Sequence, residues 1–208
     1  MSAVFTADNM IFMARGLGVT LVIALFTIFL SFIFGSMLGI ARFINKGWFS
    51  RFAGIYVDCI RNIPLLLFII GFRFTLPLPP MVSAITAMTV FTASMVAEIV
   101  RGGLYSIPKG QWEAAYSQGF SFVKTMAYIV LPQAVKKILK PLMGQFVSVL
   151  KDTSLCQVIA VKELMYSGMI VMGKFVTGTQ VIIMYGFIAL VYYVVNTVLL
   201  KASERITF

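Results

Sequence analysis

Residues 16–41 read GLGVTLVIALFTIFLSFIFGSMLGIA, a run of 26 residues without a charged side chain. About 20 helical residues cross the hydrocarbon core of a bilayer, so this run predicts a membrane span. Within it, Gly35 and Gly39 have the GxxxG spacing that places both on one face of a helix. The pair either marks the place where another helix approaches closely, or reflects the general abundance of small residues in membrane helices.

The composition of the whole chain agrees with a membrane protein. Of its 208 residues, 60% are hydrophobic and 12% are charged, whereas soluble domains carry about 25% charged residues. Four more apolar stretches give an all-α fold of five predicted spans in a single transmembrane domain, 1–208. The predicted spans are about 16–41, 52–72, 81–100, 125–150 and 175–200. The fourth is the weakest, because Pro132, Pro141 and three lysines interrupt it.

The distribution of basic residues predicts the topology. The chain carries 17 Lys and Arg against 7 Asp and Glu, a net charge of +10. With the N-terminus outside, eleven of the bases fall on cytoplasmic stretches and five on outer ones. The positive-inside rule therefore predicts an N-out, C-in orientation. Because topology accounts for the basic excess, we expect no nucleic-acid partner.

The residue inventory argues against catalysis and metal binding. The chain has no histidine, which excludes Ser-His-Asp triads and His-ligated zinc. Cys59 and Cys156 match no metal spacing and are predicted to be small buried hydrophobes. Residues 168–174 match GxxxxGK, but Phe175 stands where a phosphate loop has the Ser or Thr that binds Mg²⁺. We therefore predict a non-enzyme with no catalytic residue, no metal and no bound cofactor.

The longest polar stretch, about 102–124, lies between the third and fourth predicted spans. Ser106 is placed to cap a short helix with Pro108 in its first turn, and Gly119 is placed to end it. Trp112 and Tyr116 are four residues apart and share one helix face. Such an aromatic pair is unfavourable in water, so we expect a partner or the membrane interface to cover it.

Several blocks of this sequence resemble a known family. Glu113-Ala114-Ala115, then three residues, then Gly119, with Leu131-Pro132-Gln133-Ala134 later, resemble the EAA signature of bacterial ABC-importer permeases. Other blocks resemble the polar amino-acid permeases of that class: 61–66 (RNIPLL), 97–104 (AEIVRGGL), 107–111 (IPKGQ), 151–155 (KDTSL) and 159–164 (IAVKEL). The blocks occur in the order of the family over about residues 15–205.

The resemblance implies a permease subunit of an ATP-driven importer for a polar amino acid, multi-pass in the bacterial cytoplasmic membrane and working by alternating access. It implies a second permease subunit, identical or related, two ATP-binding subunits that hold ATP and Mg²⁺, an extracytoplasmic substrate-binding protein and surrounding lipid. The EAA segment would be the coupling helix that docks in a groove of the ATPase. The coupling residues are then Trp112, Glu113, Ala114, Ala115, Tyr116 and Gly119. Small alanines would enter the groove, and Glu113 would offer a carboxylate to the partner.

Polar residues in or beside the spans are candidates for the substrate pathway, because charge in a membrane is unfavourable. Arg61 is about ten residues into the second predicted span, roughly 15 Å deep, and Asp58 is placed to pair with it. The candidates are Arg61, Asn62, Glu98, Asp152, Thr153 and Ser154. They either hold helices together or meet the ammonium and carboxylate of an amino acid. For Glu98 with Arg101, near a span end, the structural role is favoured.

Two departures from the family pattern leave the identity of the amino acid open. Residues 68–74 (FIIGFRF) replace an aromatic-rich stretch that follows a Gln in the family, and Ser94-Met95 replaces Ala-Tyr. The alternative function is a secondary amino-acid carrier driven by an ion gradient. Such carriers usually contain internal repeats, and five spans without an evident repeat argue against that class.

Overall fold

The computed structural model describes residues 5–174 and 178–204, without the side chains of 203 and 204, and within these ranges it contains helices and no strands. The all-α prediction is thereby confirmed. The α-helices are α1 Ala7–Ile44, α2 Gly47–Arg61, α3 Leu65–Thr75, α4 Pro80–Tyr105, α5 Lys109–Ser117, α6 Phe122–Thr125, α7 Leu131–Asp152, α8 Leu164–Met172 and α9 Gly178–Glu204. A π-helical segment, Met126–Val130, joins α6 to α7, and a 3-10 segment, Thr153–Ile159, follows α7.

Three of these helices are long and apolar enough to cross a membrane unaided, namely α1, α4 and residues Gly178–Ala202 of α9. Two bent pairs also qualify if each is taken as one span, which gives up to 5 spans in the described part of the chain. One pair is α2 with α3, and the other runs from Phe122 through α8. The first three residues of the last predicted span, 175–177, lie outside the described residues.

The stretch predicted as a single span at 52–72 is broken in the middle. Helix α2 ends at Arg61, α3 begins at Leu65, and the two axes are bent by 104°. Pro64 explains the break, because it lacks an amide hydrogen and disfavours helical geometry at Ile63. The depth estimated for Arg61 assumed one continuous helix, and the break removes that assumption. Arg61 lies in the last turn of α2, where its guanidinium is 3.8 Å from the carboxylate of Glu98.

Helices α1 and α4 pack closely where the GxxxG pair lies. A Cβ atom on Gly35 would lie 2.6 Å from Cβ of Val96, and one on Gly39 would lie 2.5 Å from the Ala97 carbonyl oxygen. Neither distance is compatible with a side chain. Of the two alternatives, the close approach of a second helix is therefore the correct interpretation, and α4 is that helix.

The fourth apolar stretch forms a helix despite its two prolines. The π-helical segment ends at Val130, two residues before Pro132, whose ring is incompatible with an ordinary α-helical turn before it. Pro141 lies inside α7 and is exposed. Ala134, Ile138 and Leu142 form one face of α7 and are buried against apolar residues of α4. The packing of this face onto α4 offsets the poor helix propensity of the prolines.

The two cysteines differ in burial. Cys156 is fully buried in the largest core cluster, with its Sγ atom 3.6 Å from Sδ of Met88. Cys59 is exposed, so the prediction that both thiols are buried is wrong for this residue. It lies on the outward face of α2, which also presents Ile55 and Phe52.

Candidate coupling helix and substrate pathway

Helix α5 is the predicted short helix in the polar stretch. It begins directly after Pro108, whose fixed φ angle suits the residue before a first turn. Ser106 does not cap it, contrary to the prediction. Because α4 continues to Tyr105, Ser106 ends that helix instead, and its hydroxyl donates a hydrogen bond to the Gly103 carbonyl oxygen at 2.7 Å.

Gly119 ends the turn after α5, as predicted. Its φ angle is +80°, a conformation that side chains with a Cβ atom rarely adopt. The Gly119 amide donates to the Tyr116 carbonyl oxygen at 2.9 Å, and the Phe120 amide donates to the Ala115 carbonyl oxygen at 3.1 Å. These bonds satisfy the last carbonyls of the helix and reverse the chain toward α6.

Trp112 is partly buried in a stack of three rings. The Phe43 ring, from the end of α1, lies 5.8 Å from it, and the Phe122 ring, at the start of α6, lies 5.9 Å from it. The chain itself therefore covers much of this indole, which the sequence alone assigned to a partner or the membrane interface. Tyr116 remains exposed. Beside the stack is an open pocket of about 320 Å³ lined by Phe43, Ile44, Trp112, Tyr116 and Phe122.

The two alanines of the motif face different ways. Glu113 and Ala114 are exposed, whereas Ala115 is 3% exposed and faces its own chain. Ala115 is thus not available to enter a groove in this conformation. The second part of the motif contacts the helix that bears the first, since Nε2 of Gln133 on α7 donates to Oε1 of Gln111 on α5 at 3.1 Å.

Five charged side chains meet where α1, α2 and α4 converge. Arg42 donates to Glu98 at 3.0 Å and to Asp58 at 3.1 Å. Arg101 also bonds Glu98, as predicted, and Arg61 is 3.8 Å from the same carboxylate. The predicted pairing of Asp58 with Arg61 is replaced by the contact with Arg42, which reaches across from α1. Glu98 is therefore shared by three guanidinium groups.

The other pathway candidates bond mainly to their own segments. Asn62 donates to the Asp58 carbonyl oxygen at 2.6 Å, beside the charged cluster. Asp152 is the last residue of α7 and is partly buried. The hydroxyls of Thr153 and Ser154 each donate at 2.8 Å to the carbonyl three residues earlier. The structure thus brings Arg61, Asn62 and Glu98 to one cluster and leaves Asp152–Ser154 as a separate group.

Sequence reasoning missed two residues that hold this arrangement. In the sequence, Arg42 served only as one of the basic residues that predict the topology, because its partners Asp58 and Glu98 are far away along the chain. Glu163 is fully buried, and its carboxylate accepts hydrogen bonds from the amides of Met165 at 2.9 Å and Tyr166 at 2.6 Å. An acidic residue directly before an apolar helix favours the positive end of the helix dipole, and this signal was available in the sequence.

Comparison with known proteins agrees with this architecture. The family described as "Binding-protein-dependent transport system inner membrane component" matches residues 31–205. The chain is 40% identical over 207 residues to the probable glutamine ABC transporter permease protein GlnP of Bacillus subtilis (strain 168), covering 97% of this chain and 95% of the relative. It is 35% identical over 175 residues to the L-cystine transport system permease protein TcyB of the same organism, covering 80% and 74%.

A solved structure shows the same fold. A chain in the crystal structure of an amino acid ABC transporter with histidines superimposes with a TM-score of 0.88 at 23% identity, covering 100% of this chain and 98% of that one. The structural likeness shows the fold, and the family match together with the two relatives identifies the family. This chain belongs to the family of inner-membrane components of binding-protein-dependent transport systems.

Proposed function

We propose that this chain is the permease subunit of an ATP-driven importer for a polar amino acid in a bacterial cytoplasmic membrane. The observation that carries the proposal is α5, a short helix that bears the EAA motif and is closed by Gly119 at a φ angle of +80°. The names of the relatives, permeases for glutamine and for cystine, support a polar amino acid as the substrate.

The proposal includes the orientation and the partners. The N-terminus is outside and α5 is cytoplasmic, where Glu113, Ala114 and Tyr116 are exposed and available to a groove of an ATP-binding subunit. Two such subunits supply ATP and Mg²⁺. Alternating access around a central pathway needs a pseudo-symmetric pair, so a second permease subunit completes it. An extracytoplasmic binding protein delivers the substrate.

The break between α2 and α3 is the proposed place of substrate contact. Transporters place irregular backbone where it lines a polar cavity, because its free amide and carbonyl groups are unfavourable against lipid. Three guanidinium groups compete for the carboxylate of Glu98, and the Arg61 side chain is 39% exposed. Arg61 therefore keeps donors for the carboxylate of an amino acid.

Nearby residues fit a small polar ligand. An open pocket of about 710 Å³ is lined by Arg51, Gly54, Ile55, Asp58, Cys59 and Asn62. This volume is within the range of about 300–1,000 Å³ for small-molecule sites. Asp152 is a second candidate, for the ammonium group. Thr153 and Ser154 are weaker candidates, because their hydroxyls already donate to backbone carbonyls.

The test is reconstitution of the permease with its ATPase, followed by measurement of substrate-stimulated ATP hydrolysis and uptake. Gly119→Asp is expected to abolish coupled uptake, because the turn that positions α5 cannot hold a Cβ atom without strain. Gly47→Asp is the matched control. Gly47 also has a φ angle of +80° with open space around it, but it is the first residue of α2.

If both variants assemble and only Gly119→Asp is uncoupled, α5 is the mechanical link to the ATPase. Full coupling in Gly119→Asp would contradict the role of α5. Transport by the wild-type chain that needs no ATPase would favour the alternative, a secondary carrier driven by an ion gradient.

A further inference from the structure

Arg42 connects three helices from the last turn of α1. One of its guanidinium nitrogens donates to Glu98 on α4 at 3.0 Å, and the other donates to both carboxylate oxygens of Asp58 on α2, at 3.1 and 3.3 Å. Its side chain is only 16% exposed, less than that of any other member of the cluster. Across residues 5–174 and 178–204, it is the one cation bonded to both carboxylates.

The residue after Arg42 contacts the coupling helix. Phe43 stacks on Trp112 of α5 at 5.8 Å between ring centroids, and it meets Tyr105 of α4 edge-on at 4.9 Å. Arg101 lies over the same Tyr105 ring at 5.3 Å and bonds Glu98. Ring contacts and ion pairs therefore run without interruption from α5 to the charged cluster.

The cluster in turn contacts the proposed substrate pathway. Asp58 is three residues before Arg61 on the same intact helix, α2, so a displacement of one moves the other. Arg61 itself is 3.8 Å from Glu98, the second partner of Arg42. Any shift of the end of α1 thus reaches the break between α2 and α3 through side chains that are already in contact.

We propose that Arg42 is a positioning residue that transmits movement of α5 to the break between α2 and α3. The inference rests on the proposed function, in which the ATPase moves α5 and the substrate meets Arg61. A pull on Trp112 displaces Phe43 and the end of α1, and Arg42 then carries α2 with it through Asp58. The planar fork of arginine suits this role, because its two nitrogens bond two carboxylates in a fixed geometry that the single ammonium of lysine does not reproduce.

The experiment measures ATP hydrolysed per substrate molecule imported by the reconstituted transporter. The variants are Arg42→Gln, Asp58→Asn and the double variant, with Arg42→Lys as the conservative change. Arg15→Gln is the control, since it removes an exposed arginine from the same helix, far along the chain from the cluster. We expect the ratio to rise about tenfold in Arg42→Gln, within the range of about 5–150-fold typical of coupling between sites, and less in Arg42→Lys.

The double variant separates transmission from mere stability. If the two residues act through one contact, Asp58→Asn raises the ratio and adds little to Arg42→Gln. A purely structural role would lower the amount of assembled transporter and leave the ratio unchanged. If Arg42→Gln fails to assemble, Asp58→Asn tests the same contact, because its side chain is 64% exposed and its loss leaves the core intact.

A ratio within twofold of wild type in assembled Arg42→Gln or Asp58→Asn overturns the inference, as do fully additive effects in the double variant. This failure is distinct from failure of the proposed function. Uncoupling by Gly119→Asp together with normal coupling in Arg42→Gln would leave the importer in place and remove Arg42 from the transmission path.

Discussion

The hydroxyl of Tyr192 on α9 donates a hydrogen bond of 2.9 Å to the buried carboxylate of Glu163, just ahead of α8. The Thr20 hydroxyl of α1 lies 3.5 Å from the same carboxylate and accepts a hydrogen bond from the Leu164 amide at 3.1 Å. One acidic side chain therefore joins α1, α8 and α9. The contact matters for α9 in particular, because only 11% of the most apolar 18-residue stretch of that helix is buried within the chain.

Tyr192→Phe is expected to lower the thermal stability of the purified permease. It removes one donor from a buried carboxylate, a loss of about 1.5–3 kcal/mol for a hydrogen bond to a charged group. Tyr193→Phe is the matched control, because Tyr193 is the neighbouring residue and is 68% exposed. Equal melting temperatures for the two variants would contradict a role for the Tyr192 hydroxyl in holding α9.

Gly35→Ala is expected to destabilise the packing of α1 on α4. The new methyl group would lie 2.7 Å from the Ala93 carbonyl oxygen, so the helices must separate, at a cost of about 1–3 kcal/mol. Gly18→Ala in the same helix has nothing within 4 Å of the new atom and should be neutral or slightly stabilising. Unfolding followed by circular dichroism compares them, and a Gly35→Ala variant as stable as Gly18→Ala would disprove the close approach.

Trp112→Ala is expected to weaken the association of the permease with the ATPase subunit. It removes the ring contacts with Phe43 and Phe122, each worth about 0.5–1.5 kcal/mol, and frees α5 from the ends of α1 and α6. Trp48→Ala is the control, since Trp48 is 79% exposed and has no place in the stack. Co-purification of the ATPase measures the effect. Equal recovery with both variants would show that the stack does not position α5.

Arg61→Ala and Asp152→Ala are expected to reduce uptake by about tenfold or more, if each loses a charge-assisted bond of about 1.5–3 kcal/mol to the substrate. Lys151→Ala serves as the control, because Lys151 is exposed and adjacent to Asp152. The assay is initial uptake over a range of substrate concentrations, with normal assembly verified. Normal kinetics in both variants would remove these side chains from the pathway.

Local signals predicted much of this structure. The charge-free run 16–41 gave α1, although the helix is longer and extends from Ala7 to Ile44. Gly119 ended the turn after α5 as expected, because only a few residues tolerate its backbone geometry. Pro64 was also a local signal of the break after α2, but the prediction of one span over 52–72 rested on hydropathy alone. An apolar stretch predicts burial in lipid and not the continuity of a helix.

Features that depend on tertiary contacts were not predictable in this way. Ala115 is 3% exposed, although its neighbours in the motif, Glu113 and Ala114, are exposed. The ion pair of Arg42 with Glu98 joins residues 56 positions apart, and the approach of Glu163 to Thr20 spans 143. Spacing within one helix cannot identify such partners, so the sequence assigned Asp58 to its near neighbour Arg61 and not to Arg42.

The close contact of α1 with α4 also has a consequence for the way the chain fits its bilayer. The charge-free run of α1 contains 26 residues, about 39 Å of helix against a hydrocarbon thickness of about 30 Å, whereas α4 is free of charge only over residues 80–97. Tilting is one way for α1 to fit its excess length into the bilayer, and the contact at Gly35 and Gly39 would carry α4 with it. A change in lipid chain length would therefore rotate the pair together and swing the Arg42 end sideways, so that bilayer thickness would act directly on the charged cluster.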